Sequence, residues 1–344
     1  MGSVNAMKIS VLHDCRNIAG NPDEHDTYVQ AEKVAESLKN LGMSPHIHLY
    51  NGNSEELKAI LSAEDIDLVF NLVENFSTGN FRPEAVPTLF EYQRMPFTGS
   101  GSQAVMKTTD KIVAKQEMRK FGIPTADWVD VENGFIGKDI SGKYIIKPVS
   151  EDASVGINSD SVVDVSDIKE IVALLKSISS KEGKRYFGEK YIDGREFNIS
   201  LLSSSAGVEI LPVAELLFQD WDQAPKILDY DAKWDSASNA YSNVVRRYDF
   251  RVGDARIVER LSGIARECWE IFSLKGYARV DFRVDENGEP WVLEVNTNPC
   301  LSPDAGFYAA AVKRNITFDD VIRRITKDAL LCFENKITEK IMQR

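Results

Sequence analysis

The chain has 344 residues, 43% of them hydrophobic and 27% charged, the usage of a globular protein with two or three domains of ordinary size, not of a disordered or fibrous chain. Asp and Glu number 53 against 41 Lys and Arg, a formal charge of -12, so a general nucleic-acid surface, which needs clustered cations to displace counterions, is not expected. Any phosphate bound here must be met by local cations.

The four cysteines, Cys15, Cys268, Cys300 and Cys332, lie far apart with no CxxC pair. That fits reduced thiols in the cytoplasm better than a disulfide framework or a zinc site. The longest apolar runs, such as AGFYAAAV, fall short of the roughly 20 residues that cross a bilayer, so no membrane partner is expected. The leading MGSVNA lacks the charged and apolar regions of a signal peptide and reads as an expression remnant outside the fold.

From Met7, MKISVLHD has a strand pattern, TYVQAEKVAESLKNLG repeats at helical spacing and stops at Gly42, SPHIHLY alternates as a strand, EELKAILSA is helical, and IDLVFNLV is a nearly continuous apolar strand. Such alternation predicts an α/β unit with a buried parallel sheet. A helix carrying Ile112, Val113, Met118 and Phe121 closes at Gly122-Ile123-Pro124, and strands follow in GKYIIKPV, RYFGEKYI, REFNISLLS and VEILPVAEL. Between the first two of these lies a helix capped by Asp164 or Ser166. Val258 to Phe272 reads as a helix, Ala278 to Asn296 as a hairpin, and Phe318 to Cys332 as a closing helix.

The hairpin carries the chemistry. Asn287-Gly288 is the preferred pair for a two-residue type I′ turn; it would pair Glu286 with Glu289 and, counting outward, Asp281 with Glu294 and Arg279 with Asn296. Alternation then places Val280, Phe282, Val284, Trp291, Leu293 and Val295 on a core face and Arg279, Asp281, Glu294 and Asn296 on a polar one. Opposed Cβ atoms lie about 4.5–5.5 Å apart, where like charges repel, so something positive is expected between the two carboxylates. Two carboxylates and an amide oxygen are hard ligands suited to Mg²⁺, which shares its shell with water and phosphate oxygens. Arg279 supplies a planar donor fork for an oxyanion. The alternative is a solvated hairpin face whose Asp and Arg pair without function.

EVNTNP, which ends this hairpin, joins YIIKPVSEDASVGI and GEKYIDGREFNI in a pattern that resembles the ATP-grasp superfamily, most closely the D-alanine–D-alanine ligase family. Five ordered segments carry the resemblance: Lys147 to Gly156, Glu189 to Glu196, Asp229 to Lys233, Gly276 to Asp281, and Glu294 to Pro299. PFTGS upstream is a weaker match. The resemblance implies an α/β (α+β) ATP-grasp fold: an N-terminal α/β domain over 7–105, a small α+β lid over 106–190, and a catalytic α+β domain with an antiparallel sheet over 191–344.

It also implies the site. Lys111 and Lys147 would grip the ATP phosphates, the loop containing Ser154 would close over them, Glu189 would meet the adenine amino group alongside Lys190 and Ile192, and Glu196 would bind the ribose hydroxyls. Lys233 would contact the phosphates or the phosphoryl group in flight. Asp281, Glu294 and Asn296 take the positions of the metal ligands for two Mg²⁺ ions, with Glu294 bridging. The implied reaction is an ADP-forming ligation in which a carboxylate is phosphorylated by ATP and an amine attacks the acyl phosphate while Arg279 holds the tetrahedral oxyanion. Small-molecule acid and amine are the partners, and a symmetric homodimer, the commonest oligomer, is the assembly considered.

Substrate positions depart from the family. Its glycine-rich entry motif is replaced by HDCRNIAGNPDEHDTYVQA, where Asp26 is the nearest acid for an amino group; Ala153 and Trp234 stand where hydroxyls are usual; and Ser302 follows EVNTNP at a displaced position. A related carboxylate–amine ligase is therefore expected, a true D-alanine–D-alanine ligase with a divergent pocket being the alternative. A reading of a different class is a nucleotide-binding regulatory module without turnover, against which the intact phosphate and metal set argues.

Three further features are weighed. TGSGSQA fits a dinucleotide fingerprint, but the next stretch is helical and not an acid-bearing strand, and GSQAVMKT places Met106 where a P-loop needs glycine. His46 and His48 share a strand face without a third metal ligand nearby in sequence and read as surface. Glu74 and Asn75 end the third strand, where α/β sheets bind ligands, a solvated loop being the equal alternative.

Overall fold

The structure is a computed structural model that describes residues 6–14, 22–74, 82–151, 157–219, 225–227 and 243–342. It is a mixed α/β protein whose described strands form three sheets, one parallel and two antiparallel.

The parallel sheet has β1 (Lys8–His13) between β2 (Ser44–Leu49) and β3 (Leu68–Asn71). Strands β1 and β3 are buried on both sides because helices cover both, whereas the edge strand β2 is part-exposed. Ile9, Val11, Leu68 and Phe70 face α1 (Pro22–Asn40), while Leu12 and Val69 face α2 (Ser54–Ala63) and α3 (Ala85–Gln93). Asn53 caps α2 by accepting the amides of Glu55 and Glu56, satisfying two donors the helix cannot pair itself.

The second sheet runs β5-β4-β8-β6-β7, from β4 (Trp128–Asp130), β5 (Gly134–Ile136), β6 (Gly142–Pro148), β7 (Val162–Val165) and β8 (Tyr186–Lys190). The helices α4 (Ser102–Thr109) and α5 (Lys111–Lys120) precede it, and α6 (Ile168–Glu182) packs on it. The cap of α6 is Asp167, which accepts the Lys169 amide at 2.9 Å. The two expected caps are otherwise engaged: Asp164 is paired within β7, and Ser166 reaches Glu170.

The third sheet contains β9 (Arg195–Ser204), β10 (Gly207–Ile210), β11 (Ala214–Phe218), β12 (Val244–Arg247), β13 (Tyr277–Val284) and β14 (Pro290–Asn296). VEILPVAEL, expected as one strand, is two: the ladder breaks at Leu211-Pro212-Val213, where proline has no amide to donate. One face of the sheet packs on α7 (Ala255–Ile271) and on Ala114 and Met118 of α5. The remaining helices among the described residues are α8 (Gly306–Lys313) and α9 (Phe318–Met342); Phe307, Ile322 and Ile325 from these complete the α1 core.

The hairpin differs from expectation twice, and the two differences offset. Its loop has three residues, Glu286, Asn287 and Gly288, closed by Asp285 N–H donating to the Glu289 carbonyl and Gly288 N–H to the Asp285 carbonyl, both at 3.0 Å. Among these loop residues only Gly288 has positive φ, +79°. The Asp285 carboxylate holds the wider loop by accepting the amides of Asn287 and Glu289 and the Trp291 indole. Pairing near the turn is thus shifted by one, with Val284 opposite Pro290 and Phe282 opposite Val292.

A β-bulge at Leu293 then restores the count, and Asp281 faces Glu294 and Arg279 faces Asn296 as expected. The core face is corrected accordingly. Val292 is buried, Trp291 is half-buried, and Leu293 turns to the cavity described next.

Candidate active site

A cavity of about 470 Å³ lies where the three sheets meet; Asp26 and Glu74 border it from the parallel-sheet unit, Lys147 and Glu189 from the second sheet, and Asp281 and Glu294 from the third. The C-terminal end of a parallel sheet, where Glu74 sits, is the usual ligand end of such layers.

On the third sheet, β13 presents Arg279 and Asp281 on the cavity face. The guanidinium grips Asp281 through two bonds of 2.8 Å, and its Nη2 lies 3.9 Å from Glu294 Oε1. The cation beside the opposed carboxylates is, in this structure, Arg279 itself. Burial works against its charge, but Asp281 and then Glu294 more than offset that and hold the guanidinium above its ordinary range. Asn198, across the ladder from Asp281, donates to Asp281 Oδ1 at 2.8 Å. Asn296 Oδ1 accepts the Asn298 amide at 3.0 Å and keeps a second lone pair.

Glu189 is the focus of the second sheet. Its side chain is 2% exposed; Oε2 accepts from Lys147 Nζ at 2.6 Å, and Oε1 accepts from Lys115. Burial pushes Glu189 up, but the Lys115 and Lys147 ammoniums together hold it below the ordinary carboxylate range. Lys111 donates to the Glu151 carbonyl at 2.6 Å, so both expected phosphate lysines border the same cavity. Ile192 and Lys190 also line it, with Lys190 Nζ turned to the Asp139 carbonyl at 3.2 Å.

Glu196 lies at the cavity with its carboxylate 2.7 Å from Arg283, which also donates to the Gly194 and Lys226 carbonyls. Gly194, with φ +150°, is required here: a Cβ would stand 2.1 Å from the Val284 carbonyl oxygen.

At the parallel-sheet end, Asp26 Oδ1 accepts from Ser302 Oγ at 2.6 Å and Oδ2 from Cys300 Sγ at 2.9 Å. Two substrate candidates thus meet each other, and Ser302 is only 1% exposed. Burial, with Asp26 and Glu74 nearby, pushes the Cys300 thiol well above its ordinary value, so it serves as a donor and not as a nucleophile.

Lys233, Ser154, Trp234, Ala153 and Asn75 lie outside the described residues. His46 Nδ1 and His48 Nε2 lie 3.0 and 3.2 Å from the Glu64 carboxylate, and among the described residues no group of three His, Cys, Asp or Glu side chains is placed to hold a metal. At the TGSGSQA segment, the start of α4 is met by the protein's own Glu91, which accepts from Ser102 N and Oγ.

Lys115 and Arg283 are site residues that sequence reading missed. A signal existed for the first: Lys115 is four residues past Lys111, and that spacing puts both on one helix face.

Similarity to known proteins makes this an ATP-grasp enzyme, an ATP-dependent, ADP-forming carboxylate–amine ligase. The family profile described as D-ala D-ala ligase C-terminus matches residues 118–327. A D-alanine–D-alanine ligase of Synechococcus sp. is 32% identical over 251 residues, 71% of this chain and 71% of that relative. An uncharacterized protein of Sinorhizobium fredii is 29% identical over 259 residues, 75% of this chain and 73% of its own length. In fold, the crystal structure of a Bacillus anthracis D-alanine–D-alanine ligase complexed with ATP superposes with a TM-score of 0.70 at 19% identity, covering 96% of this chain and 100% of that one. The chain belongs to the D-alanine–D-alanine ligase family.

Proposed function

We propose that the cavity holds ATP with its phosphates between Lys111 and Lys147, its adenine amino group toward Glu189 near Ile192 and Lys190, and its ribose at Glu196. The observation that carries this reading is that Lys111 at the start of α5 and Lys147 on the second sheet border one cavity with the Arg279, Asp281, Glu294, Asn296 face of the third sheet. A substrate carboxylate attacks the γ-phosphate, and an amine then displaces phosphate from the acyl phosphate. Arg279 offers its fork to the oxyanion formed in that second step. Positioning and charge neutralisation supply the rate, since little covalent chemistry falls to the protein.

The donor set fits Mg²⁺. Asp281, Glu294 and Asn296 are hard oxygen ligands on one cavity face, the donor type of an ion that completes its shell with water and phosphate oxygens. Glu294 would be the ligand that serves both of two Mg²⁺ ions. Bound Mg²⁺ would neutralise charge on the phosphate oxygens. Lys233 and Ser154 belong to the same reading as phosphate contacts.

For the acid substrate, Asp26 is the assigned anchor of an amino group, with Ser302 and Cys300 orienting it. Ser302 is then engaged on Asp26 and does not serve the second substrate. That difference favours an amino acid or related acid joined to an amine; the names of the relatives carry a second reading, two D-alanines. The reading includes a cytoplasmic setting, supported by the free Cys268, Cys300 and Cys332 and by the absence, among the described residues, of a helix long and apolar enough to cross a membrane. It also includes a homodimer, checked by light scattering.

Phosphate release from ATP and Mg²⁺ with pooled D- and L-amino acids and small acids tests the proposal. Stimulation by one component identifies the substrate. Tight ADP binding with no turnover across the pool would replace this reading by a regulatory module.

A further inference from the structure

Lys115 is a charged side chain only 1% exposed, and it does not border the cavity. From α5 it donates to Glu189 Oε1 and, at 2.7 Å, to Thr125 Oγ1, with its ammonium 5.5 Å above the Trp128 ring. Glu189 therefore carries one ammonium on each oxygen: Lys115 from the core side, and Lys147, 13% exposed, from the cavity side. A single lysine would satisfy the charge, so the second needs a reason, because burying an ion is costly.

The reason lies in what Lys147 must do, and it rests on the nucleotide reading above. If Lys147 turns to a phosphate, a Glu189 without Lys115 faces only the neutral adenine amino group and becomes an uncompensated carboxylate at 2% exposure. Stranding a buried charge in this way is strongly unfavourable, and the carboxylate would hold Lys147 back. We infer that Lys115 is a positioning residue, a resident counter-cation that keeps Glu189 paired while Lys147 leaves it for the nucleotide phosphates.

Lys115→Met tests this. The nucleotide interaction weakens equally in ground and transition states, so the KM for ATP rises about tenfold or more while kcat stays within about threefold and the KM for the acid substrate is unchanged. The charged groups facing Glu189 are Lys115 and Lys147, and Arg119 with its partner Asp127 stands beside Lys115. With Lys115 gone, Glu189 takes a proton more readily, and the neutral carboxyl no longer holds Lys147 back, so the rise in KM shrinks as the medium is acidified.

In a Glu189→Gln background the carboxylate no longer needs a counter-cation, and adding Lys115→Met then changes the KM for ATP by less than about twofold. An equal penalty in both backgrounds overturns the inference, as does a folded Lys115→Met enzyme with the parent's KM and pH profile. If Lys115→Met alone does not fold, the double variant is expected to fold; its failure would show that Lys115 serves something other than Glu189. Absence of ADP binding by the parent enzyme would instead reject the nucleotide reading itself, before any variant is compared.

Discussion

Glu294 and Ser302 show how much of this site lives in single side chains. Glu294→Gln keeps the shape and removes the charge that a shared Mg²⁺ needs; turnover should fall to background with folding by circular dichroism intact, and near-normal rates would count strongly against the metal assignment. Ser302→Ala removes a hydroxyl donor from Asp26. A hydrogen bond to a charged group contributes roughly 1.5–3 kcal/mol, so the KM for the acid substrate should rise about tenfold or more while that for ATP does not move. Arg279, Asp281, Glu294 and Asn296 were legible in sequence because strand alternation is local. The Asp26–Ser302 pair, 276 residues apart, was not, since nothing in either neighbourhood points to the other. Lys115 shows the same limit: a buried lysine and a solvated one look alike on a helix until its partner is known.

At the element scale, the ribbon of β13 and β14 reached the expected register by an unexpected route. The outer edge of β14 is pinned to the segment before β4: the Val292 amide donates to the Pro124 carbonyl at 2.9 Å, and Thr125 Oγ1 donates to the Val292 carbonyl at 3.3 Å. These contacts accompany Val292 on the core face and the bulge at Leu293, and they lie outside any turn rule. The three-residue loop is testable. Gly288→Ala forces a left-handed residue and should cost about 1–2 kcal/mol, whereas Asn287→Ala should cost less than about 1 kcal/mol, because Asn287 is not left-handed; a two-residue type I′ turn would make both costly. Denaturant unfolding distinguishes them. Gly194→Ala, by contrast, forces the β8–β9 connection away from β13 and should raise the KM for ATP as well as lower stability.

Across the molecule, carboxylates gripped by cations, Glu215 buried and Glu209 half-buried, tie segments together. Glu215 accepts from Arg195 and Arg247, joining β11 to β9 and β12, and Glu209 accepts from Arg314 and Arg324. Burial pushes both carboxyls up, but the arginines prevail and hold Glu215 and Glu209, like Glu189, below their ordinary value of 4.5. A depressed folded value contributes stability that is complete above the ordinary value and lost as pH falls through the folded one. The thermal midpoint should therefore be steady from pH 7 to about 5 and drop steeply below about 4.5. Glu215→Gln should lower stability at pH 7 by about 2–3 kcal/mol, less than for a fully buried pair because both arginines are part-exposed, and should flatten the acid decline; an unchanged profile would show the network to be idle. By itself the sequence determined which chemical groups are present, the alternation that sets them on strand faces, and most element positions, because those follow from neighbours along the backbone. Only the tertiary structure decided that Lys115 meets Glu189 across 74 residues and that Asp26 meets Ser302, because such contacts depend on how three separately packed sheets close around one cavity.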